Sequence, residues 1–415
     1  MTRRLYQADS YATEFESRVI SVRAGTGAAV GTNGKCWEIV LESTLFYPET
    51  GGQPCDTGWI ESTRIGPVLE SDDDEIIHIT SAEPPFKPGQ TVKGKIDWAR
   101  RFINMQQHTG QHILSQAFLR VLGGRTVSSR LGVEHSTIDV SNPALTWEEV
   151  GRVERAANDV VYENRPVKIY EARAGEIKGL RAKKEPAGDI LRIVEVSDFD
   201  ISPCGGTHTR STGEVGLVKI LRWEKVRDTT RVEFVCGRLA EDDYFWKSRA
   251  VVELAQAFTT KDRDLPAMVA ELDASARDLR KEIGRLKAKL AGFEADDLES
   301  RAEVVRGIHL VRAILEDKGP AELREMAARL VSRPGRVALL ASRGQGGQVH
   351  FVFARSADVQ ADMRLALAAA TAIADGKGGG RPEFAQGGAK LAERAEEALA
   401  AASAALDIMW GSTLA

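Results

Sequence analysis

Short alternating runs open the chain. Between residues 15 and 96, segments such as Val19-Ile20-Ser21-Val22, Cys36-Trp37-Glu38-Ile39-Val40-Leu41 and Ile76-Ile77-His78-Ile79 are separated by Gly, Asn, Asp and Pro. Alternation with breakers of that kind predicts the strands of a small antiparallel barrel or sandwich. The period then changes. A helix is expected from Trp98 to about Leu122, with Asp97 as its cap and Gly123-Gly124 as its stop. Further strands are expected at Ser136 to Val140, Asp189 to Val196, Val215 to Leu221 and Thr230 to Cys236, with a helix near Trp147 to Glu163. This mixture predicts an α+β layer domain.

From Leu239 the pattern is helical. Leu265, Met268, Leu272, Leu279, Leu286 and Leu290 recur at spacings of three, four or seven with charges between them, and Gly292 is expected to bound the segment. Beyond about Arg301, Val337 to Ala341 and Val349 to Ala354 flank Gly344-Gln345-Gly346-Gly347 as a hairpin, followed by helices near Ala361 to Ala374 and Ala389 to Leu406. The expected organisation is an α+β multidomain chain: an N-terminal β-barrel (1–96), an α+β domain (97–240), a helical coiled segment (241–300) and an α/β C-terminal domain (301–415).

Composition narrows the class without naming it. A chain of 415 residues with 43% hydrophobic and 28% charged residues has the balance of a soluble globular protein of several domains. Its first residues are too polar for a secretory signal, and no apolar run approaches a membrane span, so a cytoplasmic address is expected. The net charge of -4 exerts no general pull on nucleic acid. Four cysteines, Cys36, Cys55, Cys204 and Cys236, are too few for a disulfide framework, which leaves metal binding or catalysis as their special roles.

That leads to the histidines. His108 and His112 lie four apart in the expected helix, so both imidazoles fall on one face. Cys204 and His208 sit in Pro-Cys-Gly-Gly-Thr-His, where paired glycines permit a tight loop. Two pairs with metal-ligand spacing predict one zinc site. Whether it is a closed structural staple or a hydrolytic site with an open position stays undecided, because four protein ligands usually mark the former. The His-Glu-x-x-His helix of metalloproteases is excluded by Thr109, which stands where that motif needs its glutamate.

Three segments then carry a resemblance: Leu45-Phe46-Tyr47-Pro48-Glu49-Thr50-Gly51-Gly52-Gln53-Pro54 with Asp56 and Gly58, Gln107 to Ser115 around the two histidines, and Ile201 to His208. A fourth, Gly376 to Gly388, resembles a DHHA1-type domain. Together they resemble the AlaX-like alanyl-tRNA editing proteins, relatives of the editing half of alanyl-tRNA synthetase. The resemblance implies a threonyl/alanyl-tRNA synthetase-type editing domain with one zinc ion on His108, His112, Cys204 and His208. It implies ester hydrolysis of mischarged tRNA(Ala), carrying serine or glycine, and no DNA partner. With no room expected ahead of the barrel for an aminoacylation domain, editing is expected in trans.

An aminoacyl ester is already activated, so positioned water and an oxyanion site suffice. Backbone amides at Gly51 and Gly52 are the candidates for touching the reacting end, although a turn between strands explains the same glycines. Rejecting alanine calls for a group that hydrogen-bonds serine's hydroxyl. The resemblance assigns this to Thr44; Ser128 and Ser129 are candidates to line the same pocket. For tRNA binding the candidates are Gly379, Gly380, Arg381, Gly387 and Gly388, read as a loop before a helix that presents amides and a guanidinium to phosphate. A basic cluster of Lys178, Arg181, Lys183 and Lys184 is a further candidate. The helical region and tail can support a homodimer, though an intramolecular hairpin buries the same leucines. The rival function is a non-catalytic tRNA-binding module with a structural zinc. A two-metal phosphodiesterase is excluded by the lack of adjacent histidines.

Overall fold

The computed structural model describes residues 1–25, 36–142, 144–177, 179–181, 189–344 and 346–412. The chain divides into two compact units, Met1–Ala257 and Phe258–Ala415.

The first unit begins with the sheet that alternation predicts. Strands β1 (Glu14–Gly25), β2 (Cys36–Leu41), β3 (Gly58–Ile60), β4 (Thr63–Ile65), β5 (Val68–Glu70), β6 (Ile76–Thr80) and β7 (Thr91–Ile96) pair in the order β4-β3-β7-β1-β2-β6-β5. The long β1 serves twice: its first half pairs with β7 and its second half with β2. Gly66, between β4 and β5, donates its amide to Ile79 of β6, which draws the ends together into a nearly closed barrel. Inward positions such as Val19, Ile39, Leu41, Phe46, Ile60 and Val92 fill the interior.

Helix α1 (Trp98–Leu122) leaves the barrel directly. The Asp97 carboxylate accepts from Arg100 N at 3.2 Å, and Gly123 ends the helix with φ 69°. Arg101, fully buried, fastens helix to barrel: its Nε lies 3.0 and 3.1 Å from the Asp56 carboxylate, and Nη1 donates to Ser10 O at 2.9 Å. A buried guanidinium is tolerable because its charge is paired and its hydrogens are used.

Around α1 stand two antiparallel sheets. One contains β8 (Thr126–Arg130), β9 (Ser136–Val140), β13 (Val218–Val226) and β14 (Thr229–Cys236) in the order β8-β9-β14-β13; the other is β10 (Val167–Arg173), β11 (Ile190–Val196) and β12 (Asp200–Pro203). Helix α2 (Trp147–Tyr162), started by a Thr146–Glu149 capping box, packs on α1 through Val150, Val153 and Ala157. Helix α3 (Arg238–Ala257) closes the unit.

In the second unit, α4 (Leu265–Ser300) precedes a six-stranded sheet of β15 (Glu303–Val305), β16 (Ile308–Glu316), β17 (Arg336–Arg343), β18 (Val349–Arg355), β19 (Gly376–Arg381) and β20 (Phe384–Ala389), ordered β15-β16-β17-β18-β20-β19. Alternate residues of β17 feed opposite faces. Ala338 and Leu340 meet helix α5 (Pro320–Leu330), whereas Val337, Leu339 and Ala341 meet α6 (Met363–Ile373) and α7 (Ala395–Ser412).

Three expectations change here. The helical stretch from Leu239 is two helices, and Gly292 lies inside α4 instead of bounding it; a Cβ there would stand 2.8 Å from the Arg329 guanidinium, so the glycine provides room for packing. The glycine-rich tail is a paired hairpin, β19 and β20, and not a loop before a helix. Gly378 faces Gly387 across it, where a Cβ on Gly378 would meet Gln386 O at 2.6 Å. The last helix consequently starts at Ala395 instead of Ala389. Gln345, Lys178, Lys183 and Lys184 lie outside the described residues.

Candidate metal centre

Helix α1 is buried on every side from Asn104 to Ser115, an unusual demand on a polar segment. Small residues and amide side chains meet it. A Cβ on Gly110 would lie 2.2 Å from Cys236 Sγ, so only glycine lets α1 approach β14 this closely. Gln107 then behaves as a strand partner, donating to Cys236 O at 2.7 Å and accepting from its amide at 3.0 Å.

This close packing fixes His108 and His112 one turn apart, 5.3 Å between ring centroids. The Cys204–His208 loop closes over them. Arg192 Nη1 donates to Cys204 O at 2.7 Å and Gly206 O at 3.0 Å, and a Cβ on Gly206 would meet the His108 ring at 2.2 Å. As a result one donor atom from each of His108, His112, Cys204 and His208 lies within 4.8 Å of the others.

The imidazoles are oriented from behind. Gln53 Oε1 holds His108 Nδ1 at 2.8 Å, Thr109 Oγ1 holds His208 Nδ1 at 3.1 Å, and the Asp200 carboxylate faces His112 Nδ1 at 3.3 Å. Each ring therefore turns Nε2 toward the centre, the arrangement by which outer partners fix metal-binding histidines. Cys204 Sγ is 3.4 Å from His108 Nε2 and 3.3 Å from His208 Nε2. Zinc bond lengths imply tetrahedral S···N edges of about 3.5 Å. Three imidazoles and one thiolate thus fit a zinc ion in both chemistry and spacing.

The surroundings of Cys204 and His208 favour the protonation states that a metal needs. Burial would raise the Cys204 thiol, but His108 and His208 beside it hold it well below its ordinary value, as a thiolate. Burial and the neighbouring His108 push His208 down to about 3, keeping it neutral. Burial would lower His112, yet Asp200 and Cys204 raise it. Asp200 itself is held low, against burial, by Arg181 and His112; Arg181 grips it at 2.6 and 2.7 Å.

The centre opens on a cleft of 720 Å³ to which His108, His112 and Cys204 contribute, whereas His208 lies behind it at 1% exposure. Gly51 reaches this cleft, and so does Ser129. Gly52 and Ser128 do not. Gly52 lies on a neighbouring cavity, its carbonyl bound by Leu131 N at 2.8 Å, and Ser128 Oγ donates to Asp139 at 2.6 Å. Thr44 is likewise absent from the cleft. Its hydroxyl is 2.8 Å from His78 Nε2, accepts from Phe46 N at 3.1 Å, and is sealed in the barrel at 0% exposure. Gly379, Gly380, Arg381, Gly387 and Gly388 belong to the second unit, on the hairpin at the sheet's edge.

Sequence reading passed over the residues behind the ligands. Gln53 was visible as part of Gly-Gly-Gln-Pro, and Asp200 as an acid four positions before Cys204, but neither carries a spacing that announces a hydrogen bond to an imidazole. Tyr6 and Tyr47, packed edge to face at 5.2 Å on the cleft wall, were also passed over.

Comparison with known proteins matches this architecture. The model for the threonyl and alanyl tRNA synthetase second additional domain matches residues 191–232, that for the DHHA1 domain 307–407, and that for class II (A) tRNA synthetases 3–100. The alanyl-tRNA editing protein AlaX-L of Pyrococcus horikoshii is 30% identical over 93% of this chain and 94% of its own length. An alanine–tRNA ligase of Pyrococcus abyssi is 33% identical over 96% of this chain, which spans 43% of that ligase's length. The chain belongs to the family of alanyl-tRNA editing proteins and alanyl-tRNA synthetases. Among the described residues no helix is long and apolar enough to cross a membrane.

Proposed function

We propose that this protein is a trans-editing hydrolase: it deacylates mischarged tRNA(Ala), carrying serine or glycine, with one zinc ion held by His108, His112, Cys204 and His208. The observation that carries this reading is the set of three imidazoles, each fixed at Nδ1, converging with a thiolate beside an open cleft. The near full-length likeness to AlaX-L supports the substrate class and action in trans. The domain assignment is 1–96 barrel, 97–240 editing, 241–300 helical and 301–415 tRNA-binding.

When bound, zinc would supply a positive centre that anchors water or the amino acid's amino group. The chain's own residues do the rest. Gln53, Thr109 and Asp200 hold the ligands so that no reorganisation is needed during reaction. Gly51 presents its backbone to the cleft, where its amide stabilises the developing oxyanion. Tyr6 and Tyr47 wall off bulk water. With Thr44 sealed, Ser129 is the better placed of the proposed residues to read serine's hydroxyl.

A second reading has one observation in its favour: four protein donors converge, and a full set of protein ligands is the habit of structural zinc. The deciding experiment follows release of amino acid from Ser-, Gly- and Ala-tRNA(Ala), with Cys204→Ala and zinc chelation as controls. Loss of the serine or glycine ester, with alanine spared and both controls inactive, is expected. Binding of tRNA without hydrolysis of any ester would leave a tRNA-binding module with a zinc staple.

A further inference from the structure

Cys204 is held by one residue on both sides of its Cα. Its amide donates to Arg192 O at 3.0 Å, which continues the β11–β12 ladder, and its carbonyl accepts from Arg192 Nη1 at 2.7 Å. With both backbone groups tied, χ1 is the freedom left to aim Sγ. The same Nη1 donates to Gly206 O at 3.0 Å, so one nitrogen gathers two carbonyls of the loop. Nη2 lies 3.5 Å from Gln7 O, in the segment that carries Tyr6 to the cleft wall. At Gly205 the loop faces open space, where a Cβ would meet no described atom within 4 Å. The grip on Cys204 and Gly206 therefore comes from beneath.

The guanidinium is itself poorly provided for. Its Nε is buried without a hydrogen-bond partner, and its other nitrogens find carbonyls and no carboxylate among the described residues. A cation so placed is costly unless an anion stands near. The anion beside it is the Cys204 thiolate, which opposes the downward push of burial on the guanidinium. Arg192 thus belongs to the metal centre by charge as well as by contact.

Resting on the metal centre proposed above, we propose that Arg192 is its positioning residue: the guanidinium holds the Cys204–Gly206 turn closed on the histidines, so that the thiolate is in place before a metal arrives. A lysine would keep the charge but gather it at one point, without planar donors at fixed angles to the two loop carbonyls.

The test measures zinc affinity by competition with a chromophoric chelator in wild type, Arg192→Lys and Arg192→Ala, with circular dichroism of the metal-free chains as the check on folding. Both variants are expected to fold and to bind zinc about 10- to 100-fold more weakly, the loss that follows removal of an outer partner. In cobalt-loaded protein their thiolate-to-metal absorption is expected to weaken, a signature that a general loss of stability does not move. Millimolar guanidinium ion is expected to restore part of the affinity of Arg192→Ala and to leave wild type unchanged. A folded Arg192→Lys with wild-type affinity and absorption overturns the proposal. Should only one variant fold, its affinity decides; failure of both assigns Arg192 to the scaffold and overturns the proposal too. None of these readouts uses hydrolysis. Wild type that binds zinc but cleaves no ester would remove the hydrolase reading and leave the role of Arg192 to be judged by affinity alone.

Discussion

At the scale of single residues, the second layer of the centre makes the sharper statement. A histidine pair four apart is common on helices; three rings whose Nδ1 atoms are all occupied are not easily explained by packing alone. Asp200 is the most telling, because Arg181 and Ser202 both bind its carboxylate and leave it facing His112. Asp200→Asn should therefore retain the fold but weaken zinc affinity about 10- to 100-fold, as loss of an outer partner does elsewhere. Competition with a chromophoric chelator measures this, and unchanged affinity would remove Asp200 from the metal's support. A different histidine sets a pH dependence. Burial holds His78 down to about 4, against the help of Ile39 O, so in the folded barrel it is neutral. Its folded pKa is below the ordinary 6.5, so protons favour the unfolded chain. The stability it contributes is complete above pH 6.5 and is lost as pH falls toward 4, by about 3 kcal/mol at the lower end. Urea unfolding of wild type and His78→Gln across that window should show the variant losing less; parallel curves would refute the assignment.

At the scale of elements, what could be read from sequence depended on whether local signals and tertiary packing agreed. Helix α1 was legible to its ends because Asp97 and Gly123 act on the backbone within one turn of themselves. Glycine away from an end was ambiguous. Gly292 and the Gly376–Gly380 run look like breakers, yet one lets a helix pass an arginine and the other lets two strands lie close, facts set by residues far along the chain. The candidate ligands were legible because each pair is local, whereas Gln53 and Asp200 reach their rings across 55 and 88 positions. Gly110 gives a test of the same idea. Gly110→Ala improves helix propensity but drives a methyl into Cys236, and should destabilise the first unit by about 1–3 kcal/mol, the range for overpacking. A neutral or stabilising result in thermal unfolding would mean that α1 is free to move. In α4 the residues Val269, Leu272, Leu279, Ile283, Leu286, Leu290 and Phe293 are all exposed, and with Leu265 and Ala276 they complete an alternation of fours and threes. That seam is the pattern of a two-stranded coiled coil. A second copy of α4 or an intramolecular helix hairpin would each cover this seam, and sedimentation separates the two. Leu279→Glu with Leu286→Glu should convert a dimer to a monomer in sedimentation without loss of zinc; a wild-type monomer at micromolar concentration excludes the pairing.

At the scale of the whole molecule, the candidate metal centre and the hairpin proposed to bind tRNA fall in different units. Every candidate ligand and the cleft belong to Met1–Ala257, while the glycine-rich hairpin with Lys377 and Arg381 belongs to Phe258–Ala415. Overall charge does not attract RNA, so affinity for a long tRNA needs local cations of this kind. The hairpin suits that task. Five of the six residues of β19 are exposed, and its glycines leave the backbone bare beside the two cations. If the units divide the labour, Lys377→Glu with Arg381→Glu should raise KM for full-length Ser-tRNA(Ala) and reduce the slope of log affinity against log salt by about one for each phosphate that is no longer neutralised. Hydrolysis of a short acceptor minihelix, which offers little beyond the ester end, should keep its rate. Equal damage to both substrates would place the hairpin's role in the integrity of the chain, whereas no damage to either would move tRNA recognition into the first unit.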